Sequence, residues 1–173
     1  MLSLVFIKTV YAMISTWLVF YLSMINMVKE AHIIALLWSS STFIGGVLGI
    51  YVNRRLEKKY FVILLFIAAI FFVFLEEMHL YPNEAEVIIL IICCGIAFGG
   101  PYAIMNTSIP ILLSERPDIK QYPGAKAAII SAMEGYSLLF LGITLIFVPA
   151  VGVFDVHWVA CIYCVIAASI LIR

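Results

Sequence analysis

Asn53-Arg54-Arg55-Leu56-Glu57-Lys58-Lys59 sets four cations within seven residues, between two long apolar stretches. Elsewhere charge is scarce. Charged residues make up 12% of the 173-residue chain and hydrophobic residues 65%. Soluble domains hold about 25% charged and about 45–50% apolar residues. A chain this apolar takes lipid as its solvent. A short basic loop between two spans then sets which side faces the cytoplasm.

Working outward from that loop, six stretches are candidates to cross a bilayer: 2–26, 32–52, 60–75, 87–113, 124–148 and 156–172. A helix needs about 20 residues, with a range near 17–25, to cross about 30 Å of hydrocarbon. The third and sixth stretches are short, so they stand near the membrane normal or borrow residues from their loops. The alternation that a membrane β-barrel requires is not visible, which leaves helices. The first stretch reads as a span and not as a secretory signal, because no basic segment precedes it. The breaks are polar or turn-forming: 26–31, the basic loop, Tyr81-Pro82-Asn83, the segment 114–123 with two prolines, and 149–155. The expectation is one all-α polytopic membrane domain over residues 1–173, with six transmembrane helices.

Ten cations and ten anions cancel, so nothing points to a nucleic-acid partner. The cations are nevertheless sorted. Six spans put both termini on one side, which collects Arg54, Arg55, Lys58, Lys59, Arg116, Lys120, Lys126 and Arg173. The other side has only Lys29, and Lys8 falls inside the first span. The far side collects Glu30, Glu76, Glu77, Glu84, Glu86 and Asp155. The positive-inside bias therefore predicts cytoplasmic termini.

Lys8 and Glu134 are charges set more than one turn inside a span. A lysine at the centre of a membrane helix costs about 2.5–3.5 kcal/mol on insertion scales. Lys8 either snorkels back to the headgroups or faces a water-filled cavity, where it attracts an anion. Tyr11 and Ser15 share its helical face and make that face polar. Glu134 lies about 15 Å beyond Gly124 along a helix axis, too deep to snorkel. It is protonated, paired or solvated, and Lys8 is a candidate partner. The alternative is a neutral carboxyl that joins helices.

The fourth span carries Gly95, Gly99, Tyr102 and Asn106 on one face, and Gly99-Gly100-Pro101 is expected to interrupt it midway. Broken helices beside polar groups mark transporter sites. The competing reading is close packing through the Gly-x-x-x-Gly pairs Gly45–Gly49 and Gly95–Gly99, which accounts for the glycines better than for Asn106. Ser39-Ser40-Ser41-Thr42 can bond its own helix backbone. Cys93, Cys94, Cys161 and Cys164 read as packing residues, and Trp158 as an interfacial aromatic. No nucleophile–base pair, phosphate loop or metal-ligand spacing is visible in the sequence. The reading is therefore non-enzymatic, with no cofactor and no metal.

Gly49-Ile50-Tyr51-Val52-Asn53-Arg54-Arg55-Leu56-Glu57-Lys58-Lys59 resembles the loop signature between the second and third helices of each half of the major facilitator superfamily. Asn53 stands where that signature has aspartate. A narrower likeness runs almost end to end. Phe6-Ile7-Lys8, Trp17 to Tyr21, Gly45-Gly46, Gly99 to Ile104, Gly124-Ala125-Lys126-Ala127 and Glu134-Gly135 resemble, in order, the C-terminal half of the sugar-phosphate exchangers of solute carrier family 37. The resemblance implies exchange of an organophosphate for inorganic phosphate, mostly across the endoplasmic reticulum membrane. It implies that Lys8 occupies the helix that supplies a phosphate-binding cation, with Tyr11, Tyr102 and Asn106 as hydrogen-bonding neighbours and Glu134 as the charge balance. Alternating access needs two halves. Three arrangements fit one half: a piece of a longer chain, a pairing with itself or with a separate half, or a structural subunit of a larger membrane complex.

Overall fold

The computed structural model describes residues 2–25, 27, 29, 31–53, 58–78, 80, 83–122, 124–151 and 156–172. Among these residues every regular element is helical: α1 Leu2–Met24, α2 Ala31–Asn53, α3 Lys58–Glu77, α4 Glu84–Glu115, α5 Pro117–Lys120, α6 Ala125–Val151 and α7 Val156–Ile172. Five of these helices are long and apolar enough to cross a membrane, and α7 adds a shorter apolar helix of 17 residues. The chain is an all-α, polytopic membrane protein.

The helices differ from the sequence reading at several points. The third helix has 20 residues, because Lys58 and Lys59 join its first turn and Glu76 and Glu77 its last. The segment after the fourth span contains the single turn α5, which begins with Pro117 at a position that has no N–H to satisfy. The fifth long helix continues to Val151. The expected interruption at Gly99-Gly100-Pro101 is absent: α4 runs through Pro101 and Pro110 as one 32-residue helix. Each proline removes a single backbone donor, and the packing around α4 outweighs that loss.

Local capping is strongest at α4. The Asn83 carboxamide oxygen accepts from the Ala85 N–H at 3.2 Å, and its NH₂ donates to Glu86 at 2.9 Å. Glu84 and Glu86 place negative charge in the first turn, where the helix dipole favours it. Gly124, at φ 87°, turns the chain left-handed just before α6.

The tightest packing is between α2 and α4. A methyl group on Gly45 would strike the Ile96 carbonyl, and one on Gly99 would strike the Thr42 carbonyl. At Gly49 it would lie 2.6 Å from the Gly100 Cα. Backbones touch here because side chains are missing, which is how membrane helices gain dispersion contacts without a hydrophobic drive. The order of these contacts, 45 with 96 and 49 with 100, makes α2 and α4 parallel. Ser39, Ser41 and Thr42 turn their hydroxyls onto carbonyls of their own helix. Lower down, Trp38 packs between Phe72 and Phe98, at 6.5 and 6.2 Å between centroids.

The remaining contacts repeat this plan. α3 lies against α4 and α7, and α1 lies against α7 and α6. Exchanging α1, α2, α3 for α4, α6, α7 preserves the pattern: α2 on α4 becomes α6 on α1, α3 on α4 becomes α7 on α1, and α3 on α7 is common to both. Residues 4, 8 and 11 of α1 meet 109, 106 and 102 of α4 in reverse order, so the two leading helices are antiparallel. The bundle is two interlocked three-helix units of opposite direction, an arrangement found in membrane transporters.

At one end α1, α3 and α7 share a buried polar knot. His157 Nδ1 lies 3.0 Å from Glu76 Oε2, and the Tyr21 hydroxyl donates to the Leu75 carbonyl at 2.6 Å while its ring meets His157 edge-on. The sequence reading places Glu76 in the loop after the third span and His157 at the very start of the sixth. The two halves of the plan are unequally filled. Whereas α2 is locked to α4, only 17% of the α6 span is buried.

Candidate functional site

The helices α1 and α4 form the floor of an open groove, with α2 and α6 as its rims. The floor follows from the sequence of both helices. Lys8 and Tyr11 are one turn apart on α1, and Tyr102 and Asn106 are one turn apart on α4. The antiparallel crossing brings the two faces together. Tyr11 and Tyr102 stack with centroids 4.4 Å apart. Toward α6 the groove encloses about 360 Å³ lined by Lys8, Tyr11, Tyr102, Asn106 and Glu134. Toward α2 it continues for about 320 Å³ past Ser39, Phe43 and Val47. Each volume is in the range of small-molecule sites.

Lys8 Nζ donates to Glu134 Oε1 at 3.2 Å, joining α1 to α6. Lys8 is 21% exposed and Glu134 57%, so the carboxylate is the open member of the pair. Glu134 lies about 14 Å along α6 from Ala125, and Lys8 about 9 Å along α1 from Leu2. The amine turns into the groove and does not run back along the lipid face. Pro110 has no N–H for the Asn106 carbonyl one turn earlier, so Asn106 brings a spare backbone acceptor as well as its amide.

Beneath the pair, α6 is pinned to α1 by hydroxyls. Thr9 donates to the Val5 carbonyl at 2.8 Å and to the Ser137 carbonyl at 3.2 Å. The Ser137 hydroxyl reaches the Val5 carbonyl of α1 at 3.4 Å and the Met133 carbonyl of its own helix at 2.9 Å. The sequence reading did not single out Thr9 or Ser137, and a single hydroxyl in an apolar helix carries no mark of its register.

The five residues Lys8, Tyr11, Tyr102, Asn106 and Glu134 thus share one groove. The loop residues are elsewhere. Gly49 is buried against Gly100, and the Lys59 ammonium lies 5.7 Å from the Tyr60 ring centroid. Arg54 and Arg55, and the side chains of Asn53 and Lys58, lie outside the described residues. Among the described residues no cluster of three His, Cys, Asp or Glu groups could hold a metal. Cys94 and Cys164 are packing residues in the interior. No family model, no curated protein and no solved structure matches the chain.

Proposed function

We propose that this chain is one half of a membrane transporter that exchanges a phosphorylated small molecule for inorganic phosphate. The observation that carries the reading is the Lys8–Glu134 pair, set at membrane depth in an open groove beside Tyr11, Tyr102 and Asn106. A charged pair in a membrane span is expensive to keep and marks a solute or ion path by default. The interlocked inverted units and the resemblance to sugar-phosphate exchangers support the same reading.

The chemistry follows from the pair. An incoming phosphate competes with Glu134 for the Lys8 ammonium. Its oxygens accept from the phenols of Tyr11 and Tyr102 and from the Asn106 amide. When phosphate leaves, Glu134 returns to Lys8, so the empty groove never holds a bare ammonium. The sorting of cations to one set of loops supports cytoplasmic termini, and the resemblance favours the endoplasmic reticulum membrane.

The test is reconstitution in phosphate-loaded liposomes. The chain, with whatever partner it recruits, exchanges labelled phosphate. Lys8→Ala lowers the rate about 10- to 100-fold, the loss of one charged hydrogen bond, while folding is retained. A folded Lys8→Ala variant with parental exchange defeats the reading. A structural subunit of a larger membrane complex is the second reading, favoured by the exposed apolar surface of α6. It predicts that no exchange occurs and that unrelated subunits pack on the groove.

A further inference from the structure

The two lobes of the groove differ in chemistry. Tyr11, Tyr102 and Asn106 line both, so the spaces are continuous. Lys8 and Glu134 bring charge to the α6 lobe. Among the described residues the α2 lobe has no charged lining. Its walls are Phe43, Val47 and Ile50 on α2 and Ala103 on α4. A methyl group on Gly46 would lie 2.9 Å from the Ala103 Cβ, so the floor there is bare backbone beside a methyl. Three hydroxyls also reach this lobe, and each has already spent its proton. Ser39 donates to the Ala35 carbonyl at 3.1 Å, and Thr42 to the Trp38 carbonyl at 2.8 Å. Thr107 donates to the Ala103 and Ile104 carbonyls at 3.0 and 3.1 Å. A hydroxyl carries one proton, so all three keep acceptor capacity only.

We infer, resting on the reading of Lys8 as the phosphate-binding cation, that the organic part of the ester is an apolar ring, so that the substrate is an aryl phosphate and not the sugar phosphate that the resemblance implies. Tyr11 lies about 4.5 Å along α1 from Lys8. An ester anchored on Lys8 therefore lays its organic group across the Tyr11–Tyr102 stack and into the α2 lobe. The phenols and the Asn106 amide belong to the phosphate in the proposed cycle. A sugar brings several hydroxyls whose lone pairs need donors, and the α2 lobe has none left to give. An apolar ring needs none. It leaves water for carbon walls and meets the aromatic side chains of Tyr102 and Phe43. The opposite direction, past Leu4, Ile109 and Met133, offers a smaller space of about 210 Å³ with similar walls. Whatever closes the groove, the side that this chain presents to the organic group is carbon.

Two measurements on the full chain test this, with phenyl phosphate and glucose 6-phosphate as probes. The first is displacement of labelled inorganic phosphate from the purified chain at equilibrium. Phenyl phosphate is expected to displace it at a concentration about 10- to 100-fold below that of glucose 6-phosphate, the discrimination that an apolar pocket exerts against added hydroxyls. Val47 is more than half exposed, so Val47→Asn adds an amide donor to the lobe without disturbing the interior. It narrows the ratio about tenfold, the worth of one hydrogen bond. Labelled phenyl phosphate binds Lys8→Ala no more than it partitions into detergent alone. A ratio of one or below, a ratio that Val47→Asn leaves unmoved, or parental binding of phenyl phosphate to Lys8→Ala overturns the inference. The second measurement is efflux of labelled phosphate from proteoliposomes, driven by each ester. Exchange that prefers glucose 6-phosphate overturns the inference and leaves the transport reading intact. Displacement with the expected ratio but no exchange of any anion defeats the transport reading and leaves the preference of the lobe standing. Failure of inorganic phosphate to bind overturns both.

Discussion

His157 and Glu76 meet in the interior although 81 positions separate them, with Nδ1 3.0 Å from Oε2 and side chains 4% and 6% exposed. The bond ties α3 to α7 at the end where Tyr21 of α1 also arrives. Removing one partner of a buried hydrogen bond leaves the other unsatisfied, at a cost of about 1–3 kcal/mol. His157→Ala lowers thermal stability in detergent by about that amount. Trp158→Phe, on the neighbouring exposed residue, changes it by less than about 0.5 kcal/mol. Equal effects from the two variants would show that the pair holds nothing.

The α2–α4 seam tolerates no side chain. Gly45→Val and Gly99→Val each push a Cβ into backbone atoms, and overpacking of this kind costs about 1–3 kcal/mol. Gly142→Ala meets nothing within 4 Å and gains up to about 1 kcal/mol from reduced chain entropy in the helix. Comparing the three midpoints in one detergent checks both signs.

Thr9 and Ser137 hold α6 by hydroxyls. Polar contacts between membrane helices average about 0.6 kcal/mol, so Thr9→Val and Ser137→Ala each lower stability by roughly that. The double variant loses less than the sum, because both act on the same seam. Strict additivity in a double-mutant cycle would separate the two groups.

Glu134 and phosphate compete for Lys8 in the proposed cycle. Glu134→Gln therefore binds inorganic phosphate about tenfold more tightly, a gain of about 1.4 kcal/mol, yet exchanges it more slowly, because nothing displaces the bound anion. Equilibrium binding and counterflow on the same preparation read the two effects. Parental exchange by a folded Glu134→Gln chain would remove the carboxylate from the cycle.

The side of each loop follows from cation bias. A cysteine at Lys59 is labelled by a membrane-impermeant maleimide only from the cytoplasmic side, and one at Glu84 only from the opposite side. The reverse pattern would invert the topology.

Much of this was legible in the chain. Composition, span length and the missing barrel alternation were enough for an all-α membrane protein, because lipid leaves the backbone only helices or closed barrels. Lys8 and Glu134 stood out because a charge in an apolar run costs energy wherever its helix sits. The glycines at 45, 49, 95 and 99 announced close packing, although their partners across the seam were not readable. The break expected at Pro101 did not survive, since a local rule about one missing donor yields to the packing of α4 against α2 and α3.

What the linear order left open is which faces meet. The five groove residues come from three helices, and periodicity orients each helix only about its own axis. The Lys8–Glu134 contact across 126 positions and the Tyr11–Tyr102 stack depend on the crossing of α1 with α6 and α4, and the His157–Glu76 bond on the crossing of α3 with α7. Solvent chemistry selects the helices and their length, residue by residue. The crossings are set collectively, by where side chains are small enough for backbones to touch.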